Sequence, residues 1–263
     1  MLSGNLEAMR LRRKPSSRRQ RQAALASAVL IGGVIVVLQV VAGAGLVSTF
    51  LVPSPAQVAA RVPSLFLEER LIARLAETGV AVLVTIGLAT AIGGWTGWVL
   101  YRRPNAWRAF ASWFVALNAT PVVLLYPLFL AIFGRGPITV TLLGILGALP
   151  PIVLKKREAF TGVRPVLLAL GRCFDLTGAQ RFRLIELPAA LPVIATGFRM
   201  STFYAVTTVI GAEFLTGSGG LGALIPDLAE RFDLPAMYGA MAVTVVASAF
   251  FLALVRRVEA WLR

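Results

Sequence analysis

The chain alternates between long uncharged stretches and short basic ones. Residues 22–60, 78–101, 109–134, 136–154 and 234–255 carry no Asp, Glu, Lys or Arg, and a sixth stretch, 187–212, is interrupted only by Arg199. Apolar runs of about 20 residues are long enough to cross the hydrocarbon core of a bilayer as helices. The pattern predicts six transmembrane helices near 23–50, 76–101, 109–133, 137–155, 189–214 and 235–256. The expected fold is an all-α membrane protein, with a basic tail over 1–22 and one transmembrane domain over 23–263. A polar, basic loop at about 156–188 separates the fourth and fifth helices.

Composition supports this division. Hydrophobic residues make up 57% of the 263 positions and charged residues only 14%, far too apolar for an ordinary soluble domain. Ala42-Gly43-Ala44 resembles a signal-peptide cleavage site, but the apolar run that begins at Ala23 is much longer than a signal core of 7–15 residues. An uncleaved anchor helix is expected there.

Charge then orients the helices. With the N-terminus placed in the cytoplasm, the inner segments hold Arg10, Arg12, Arg13, Lys14, Arg18, Arg19 and Arg21; Arg102, Arg103 and Arg108; Lys155, Lys156, Arg157, Arg164, Arg172, Arg181 and Arg183; and Arg256, Arg257 and Arg263. These are 20 of the 26 basic residues. The outer segments hold Arg61, Arg70, Arg74, Arg135 and Arg231. The asymmetry places both termini in the cytoplasm of a cell bounded by an inner membrane. The net charge of +14 is therefore a topology signal. Anionic inner-leaflet lipid accounts for the basic tail, and no aromatic interleaving suggests nucleic acid.

Residue types exclude several chemistries. The chain has no His and one Cys, Cys173, which removes His-based catalysis, His metal sites, intrachain disulfides and Cys clusters. Its three Lys residues, Lys14, Lys155 and Lys156, do not follow a glycine-rich phosphate loop. ATP-driven work therefore requires another chain, and no cofactor is expected in this one.

Within the spans, Gly93-x-x-x-Gly97 permits close helix contact. Asn118, Pro121 and Pro127 mark a helix that either borders a cavity or bends for packing. Arg199, about ten residues into a span, lies roughly 15 Å deep and faces protein or water. It is either a positive group on an anion pathway or a hydrogen-bonded strut that holds its helix to a neighbour or to the cytoplasmic loop. Glu213, near the outer end of the same helix, either shapes an outer gate, holds the Gly217–Gly222 loop, or reaches the headgroups. Pro53, Pro55 and Pro63 break up the outer loop after the first span, with a short helix expected over 63–75. Gly217 to Gly222 and the apolar residues 223–226 are too short to span and read as a re-entrant or interfacial turn. In the polar loop, Asp175 is a candidate N-cap for a short helix beginning near Thr177. That helix presents Gln180, Arg181, Phe182 and Arg183, residue types that suit a protein interface.

The polar loop resembles the cytoplasmic loop of ABC importer permeases, whose pattern is Glu-Ala-Ala, three residues, Gly, nine residues, Ile, one residue, Leu-Pro. Ile185, Leu187 and Pro188 fall on the last three positions. Ala169, Leu170 and Gly171 fall on Glu-Ala-Ala, and Asp175 on Gly, so the first half departs from the pattern. The resemblance continues through Leu187-Pro188-Ala189-Ala190-Leu191-Pro192 to Gly197-Phe198-Arg199, then Ala212-Glu213 and Gly219-Gly220-Leu221-Gly222. Upstream it takes in Pro121, Pro127, Phe133-Gly134, Gly147-Ala148 and Gly162-Val163-Arg164, and it covers about 75–260. It is nearest the nitrate/sulfonate/taurine-type permeases, which also handle bicarbonate, cyanate and vitamin precursors.

The resemblance implies a type I importer permease with a coupling helix formed by Asp175, Leu176, Thr177, Gly178, Ala179, Gln180, Arg181, Phe182 and Arg183. That helix would dock on a cytosolic ABC ATPase, which would carry the ATP and Mg. A periplasmic or lipid-anchored binding protein would deliver substrate, and a second permease copy would complete a homodimer. The expected cargo is a small anion such as nitrate, a sulfonate, taurine or bicarbonate, with a thiamine pyrimidine or riboflavin as the alternative. Asn118, Pro121, Arg199 and Glu213 are the candidate path or gate residues. The competing class is a self-sufficient secondary transporter or channel, which would need buried titratable groups and usually an internal repeat.

Overall fold

The computed structural model describes residues 52–261 without interruption and, before them, residues 25, 26, 29, 30, 32, 33, 36, 37, 39, 40 and 42–44. The expected tail, 1–22, and much of the expected first span, 23–50, lie outside the described residues. The chain divides into two compact units, residues 1–60 and 61–263. In the first unit the described residues from 25 to 43 are helical. Helix α1 (Pro55–Leu67) also begins there. Its start is a capping box. The Ser54 N–H donates to Gln57 Oε1 at 2.8 Å, and the Gln57 N–H donates to Ser54 Oγ at 3.3 Å. Pro55 occupies the first helical position, where a missing N–H costs nothing.

The prolines of this outer segment therefore act differently from expectation. Pro55 starts a helix, and Pro63 lies inside it. The helix expected over 63–75 is instead two helices, because α1 ends at Leu67 and α2 (Leu71–Arg102) begins after Arg70, which adopts a left-handed conformation. Leu65 and Leu71 are buried, whereas Phe66 and Ile72 remain exposed.

The second unit continues through α3 (Pro104–Ala119), a 3₁₀ turn (Val122–Leu125), α4 (Tyr126–Phe133) and α5 (Pro137–Thr161). There follow α6 (Pro165–Cys173), α7 (Gly178–Arg181), a π turn (Phe182–Glu186), α8 (Leu187–Thr216), α9 (Gly220–Glu230) and α10 (Leu234–Trp261). No strand occurs among the described residues. Among the described residues, four helical runs are long and apolar enough to cross a membrane: α2, α5, the run 178–230 that contains α8, and α10. The span expected at 109–133 is broken. Thr120 is extended, as a residue before proline tends to be, and Pro121 leads into a bend of 94°. Counted as one span, that bent pair makes five.

Helices α2, α5 and α8 form the central layer. Lipid tails are as apolar as leucine, so membrane helices gain little by hiding apolar surface from each other and gain instead from close packing. Glycine makes that approach possible. A Cβ on Gly93 would lie 3.2 Å from the Leu149 carbonyl, and one on Gly97 would lie 3.1 Å from the Val153 carbonyl, so Gly93-x-x-x-Gly97 is the contact of α2 with α5. Gly197 brings α8 so near α5 that a Cβ would stand 2.6 Å from Lys155 Cβ. Val82, Ile86, Leu143, Ala148, Ala205 and Val209 fill the layer between them. Ser201 Oγ, fully buried, donates to the Ala148 carbonyl at 2.7 Å across the α5–α8 contact.

A Cβ at Gly144 would stand 2.9 Å from both Thr85 and Val209, two stiff β-branched side chains. Gly144→Ala is expected to destabilise the detergent-solubilised protein by about 1–3 kcal/mol. Gly87→Ala, where nothing lies within 4 Å, should be neutral or stabilising by up to about 1 kcal/mol. Thermal unfolding of the two variants side by side checks this.

Candidate functional site

Two sites stand at opposite ends of the central layer. The first lies where α5 leaves the layer and α8 enters it. Helix α6 ends in a Schellman motif. The Leu176 N–H donates to the Gly171 carbonyl at 3.0 Å, the Asp175 N–H donates to the Arg172 carbonyl at 3.1 Å, and Asp175 sits between them with φ 49°. This backbone ordinarily calls for glycine, and aspartate is among the few residues that tolerate it. Asp175 therefore terminates α6 and does not cap the next helix. Thr177 caps it. The Thr177 N–H donates to Gln180 Oε1 at 2.9 Å, and the Gln180 N–H donates to Thr177 Oγ1 at 3.4 Å, a complete capping box.

The short helix α7 continues without a break into α8. The Leu187 N–H bonds to the Phe182 carbonyl, five residues back, and this widened turn absorbs Pro188, which has no N–H to give. Phe182 turns inward, not outward. Its ring lies 5.1 Å from Trp98 and 5.9 Å from Phe160, and Trp98 and Phe160 both contact Tyr101. This aromatic cluster seats α7 on the ends of α2 and α5. Arg181 Nε donates to the buried Glu186 carboxylate at 2.9 Å. Gly171 of α6 lies against this seat, where a Cβ would be 3.0 Å from Ile185 and 3.2 Å from Arg181. Gly178, Ala179, Gln180 and Arg183 remain exposed, and Leu176 is half-buried. Two large apolar side chains flank them in the open, Phe174 at 69% exposure and Leu184 at 65%.

The second site is at the other end of α8. Glu213 is 3% exposed. Its carboxylate accepts from Thr78 Oγ1 at 2.8 Å and from the Gly222 N–H at 3.0 Å. The Leu221 N–H donates to Thr78 Oγ1, and the Gly220 N–H to Glu77 Oε2, each at 2.8 Å. The first N–H groups of α9 are thus met by side chains of α2 and α8, with negative charge at the positive end of the helix. The segment read as a re-entrant or interfacial turn is this anchored helix. Gly222 permits the approach, since a Cβ there would stand 2.3 Å from the Ile210 carbonyl.

Around it opens a charged cavity of about 770 Å³ lined by Glu69, Arg74, Glu77, Asp227, Glu230 and Arg231 among others. Arg74 pairs with Asp227 at 3.1 Å, and Arg231 pairs with Asp227 at 2.8 Å and Glu69 at 2.7 Å. Nearby, Arg61 bonds Asp233, and that hydrogen bond and charge hold the guanidinium above its ordinary pKa. No group of three His, Cys, Asp or Glu is placed to hold a metal among the described residues.

The path candidates do not converge. Pro121 stands at the break after α3. Asn118 borders a cavity between α3, α5 and α8. Arg199 borders another with Tyr204, Leu252 and Arg256, and Glu213 belongs to the anchored end of α9. The aromatic seat of Trp98, Tyr101 and Phe160 and the partners Glu77 and Thr78 escaped the sequence reading. Only the spacing Trp98-x-x-Tyr101, one helical turn, hinted at the seat.

The left-handed backbone at Asp175 gives a direct test. Asp175→Gly should raise stability by up to about 1 kcal/mol, and Asp175→Val should lower it by at least as much. Thermal unfolding checks both, with protease susceptibility of the loop as a local readout.

Comparison with known proteins agrees with this geometry. A family model described as "Binding-protein-dependent transport system inner membrane component" matches residues 84–263. The chain is 29% identical to the putative aliphatic sulfonates transport permease protein SsuC of Bacillus subtilis, covering 87% of this chain and 81% of that one. It is 25% identical to the taurine transport system permease protein TauC of Escherichia coli, covering 88% of each. It is 33% identical to the riboflavin transport system permease protein RibX of Chloroflexus aurantiacus over about half of each chain, 51% and 50%. Among solved structures, a chain of the MetNI methionine ABC transporter in an inward-facing conformation superposes with a TM-score of 0.61 at 20% identity, covering 76% of this chain and 98% of that one. The likeness establishes a shared fold. The chain belongs to the family of binding-protein-dependent transport system inner membrane components, the multi-pass permease subunits of ABC importers.

Proposed function

We propose that this chain forms the translocation path of an importer for a small anion and is driven by a separate ATPase through α7. The observation that carries the reading is the seat of α7. A helix opened by a complete capping box is fixed by aromatic packing to α2 and α5 and is continuous with α8. It carries the exposed Ala179 and stands beside the exposed Phe174 and Leu184, all three offered to a partner. In this reading the loop end faces the cytoplasm, as its basic residues favour. Both termini lie on that side.

The partner ATPase binds ATP and Mg and performs the hydrolysis, and this chain is non-catalytic. Closure of two ATPases draws two α7 helices together, which requires a second permease subunit, here a second copy of the same chain. The charged cavity at the opposite end is where a substrate-binding protein would deliver cargo. Relatives named for aliphatic sulfonates and taurine support a small anion as that cargo. The relative named for riboflavin supports a second reading in which a vitamin is carried.

The roles of the loop residues divide by their direction. Phe174 and Leu184 make contact with the ATPase, whereas Phe182 and Arg181 hold α7 in position for it. Co-expressed with its ATPase, the wild-type chain should co-purify with it and show no ATPase activity alone. Leu184→Glu should dissociate the pair. Phe182→Ala, which removes a packed aromatic at a cost of about 3 kcal/mol, should keep binding but lower substrate-stimulated ATP turnover. Uptake into liposomes by the chain alone, without an ATPase, would refute the reading.

A further inference from the structure

Two cavities follow one another along the groove between α8 and α10. The first measures about 440 Å³ and is bordered by Arg199, Met200, Tyr204, Leu252 and Arg256 among others. The second measures about 460 Å³, is almost wholly apolar, and is bordered by Val82, Val206, Ile210, Val246 and Phe250 among others. Arg199 and Val206 stand two turns apart on one face of α8, so the charged cavity leads into the apolar one. No carboxylate of the described residues lines either. The uncharged run 234–255 ends at Arg256, which therefore marks the edge of the hydrocarbon layer. Arg199 borders the same cavity and so reaches the same level, although its place in the span alone put it roughly 15 Å deep. Among the described residues, Arg256 and the Tyr204 hydroxyl make no hydrogen bond or ion pair. Both side chains are accessible, Arg256 exposed and Tyr204 half-buried. Val246 lies about 15 Å from Arg256 along α10, half the thickness of a hydrocarbon core. Val245, Val246, Phe250 and Leu254 are all exposed, so the groove is open to lipid.

Positive charge at one end, and apolar side chains for the depth of one leaflet beyond it, match a single kind of molecule. We infer that this groove is a binding site for an anionic phospholipid of the inner leaflet. Its phosphate accepts from Arg256 and Tyr204 beside Arg199, and one acyl chain lies along Val206, Ile210 and Val246. Basic pockets between membrane helices on the cytoplasmic side hold such headgroups. The leaflet assignment rests on the cytoplasmic placement of the loop end. The site sets a lipid against α8, the helix continuous with α7.

The test titrates the purified full chain with phosphatidylglycerol and with phosphatidylcholine of the same acyl chains, and counts bound lipid by native mass spectrometry. Wild type should bind phosphatidylglycerol about fivefold or more tighter. Arg256→Gln should remove most of that preference. Arg257→Gln, next in sequence but off the cavity, should keep it. Val246→Trp, at an exposed position, fills the apolar part and should weaken phosphatidylglycerol without lowering the thermal midpoint of the lipid-free chain. Equal binding of the two lipids to wild type overturns the proposal. Equal losses in Arg256→Gln and Arg257→Gln also overturn it, in favour of general surface charge. Displacement of phosphatidylglycerol by millimolar glycerol phosphate overturns the lipid assignment in favour of a free anion. The leaflet is read separately from Cys173, which is exposed at the loop end. Labelling of Cys173 by an impermeant maleimide in inside-out vesicles alone supports the inner leaflet. Labelling from the outer side overturns the leaflet assignment and the cytoplasmic placement together, and leaves the site standing.

Discussion

One run of hydrogen-bonded backbone passes from the Thr177–Gln180 capping box, through the widened turn at 182–186, into α8 and on to Glu213. A force applied to α7 therefore reaches the core of the permease without crossing a flexible joint. The widened turn is what keeps the run intact. Pro188 would leave an ordinary helix short of a bond and in collision with the preceding turn. The five-residue register at Leu187 accommodates both.

A lever needs a fulcrum and a load. The close contacts of α8 with α5, at Gly197 and at Ser201 against Ala148, supply the first. At the far end, Glu213 and Thr78 hold the N-terminal N–H groups of α9, so that α8, α9 and α2 are bound into one body at that end. The cost of burying the Glu213 side chain is offset only in part by those bonds and by the field of the helix it caps. The charged cavity beside it is lined by those three elements together with Glu68, Glu69, Arg70 and Arg135, so rotation of α8 would reshape it.

Much of this was legible in the sequence, and the reasons for the remainder are physical. Length and charge located the spans at α2, α5, α8 and α10, because an apolar run of that length has few alternatives. Glycine spacing pointed to a close contact on α2, because only a missing side chain permits it, whereas its partner α5 emerges from the packing. The break at Pro121 was legible as a bend, but its 94° angle depends on how α3 packs. Asp175 was read as an N-cap from residue type alone. Its position in the left-handed region emerges only when the end of α6 is built, and it explains why the family pattern has glycine there. Phe182 was read as an outward contact because direction around a four-residue helix is set by its partners, and Trp98 and Phe160 are distant in sequence. The pairing of Glu213 with Thr78 is likewise a contact across 135 residues.

The central claim is that α7 is the surface on which an ATPase acts. A single-cysteine permease, with Cys173→Ser and Ala179→Cys, tests it by crosslinking to a co-expressed ATPase carrying single cysteines along its groove. The account predicts a crosslink from position 179 whose yield changes when ATP and Mg are added, and none from Arg231→Cys at the opposite end. No crosslink from position 179, or an equal yield from position 231, would contradict it.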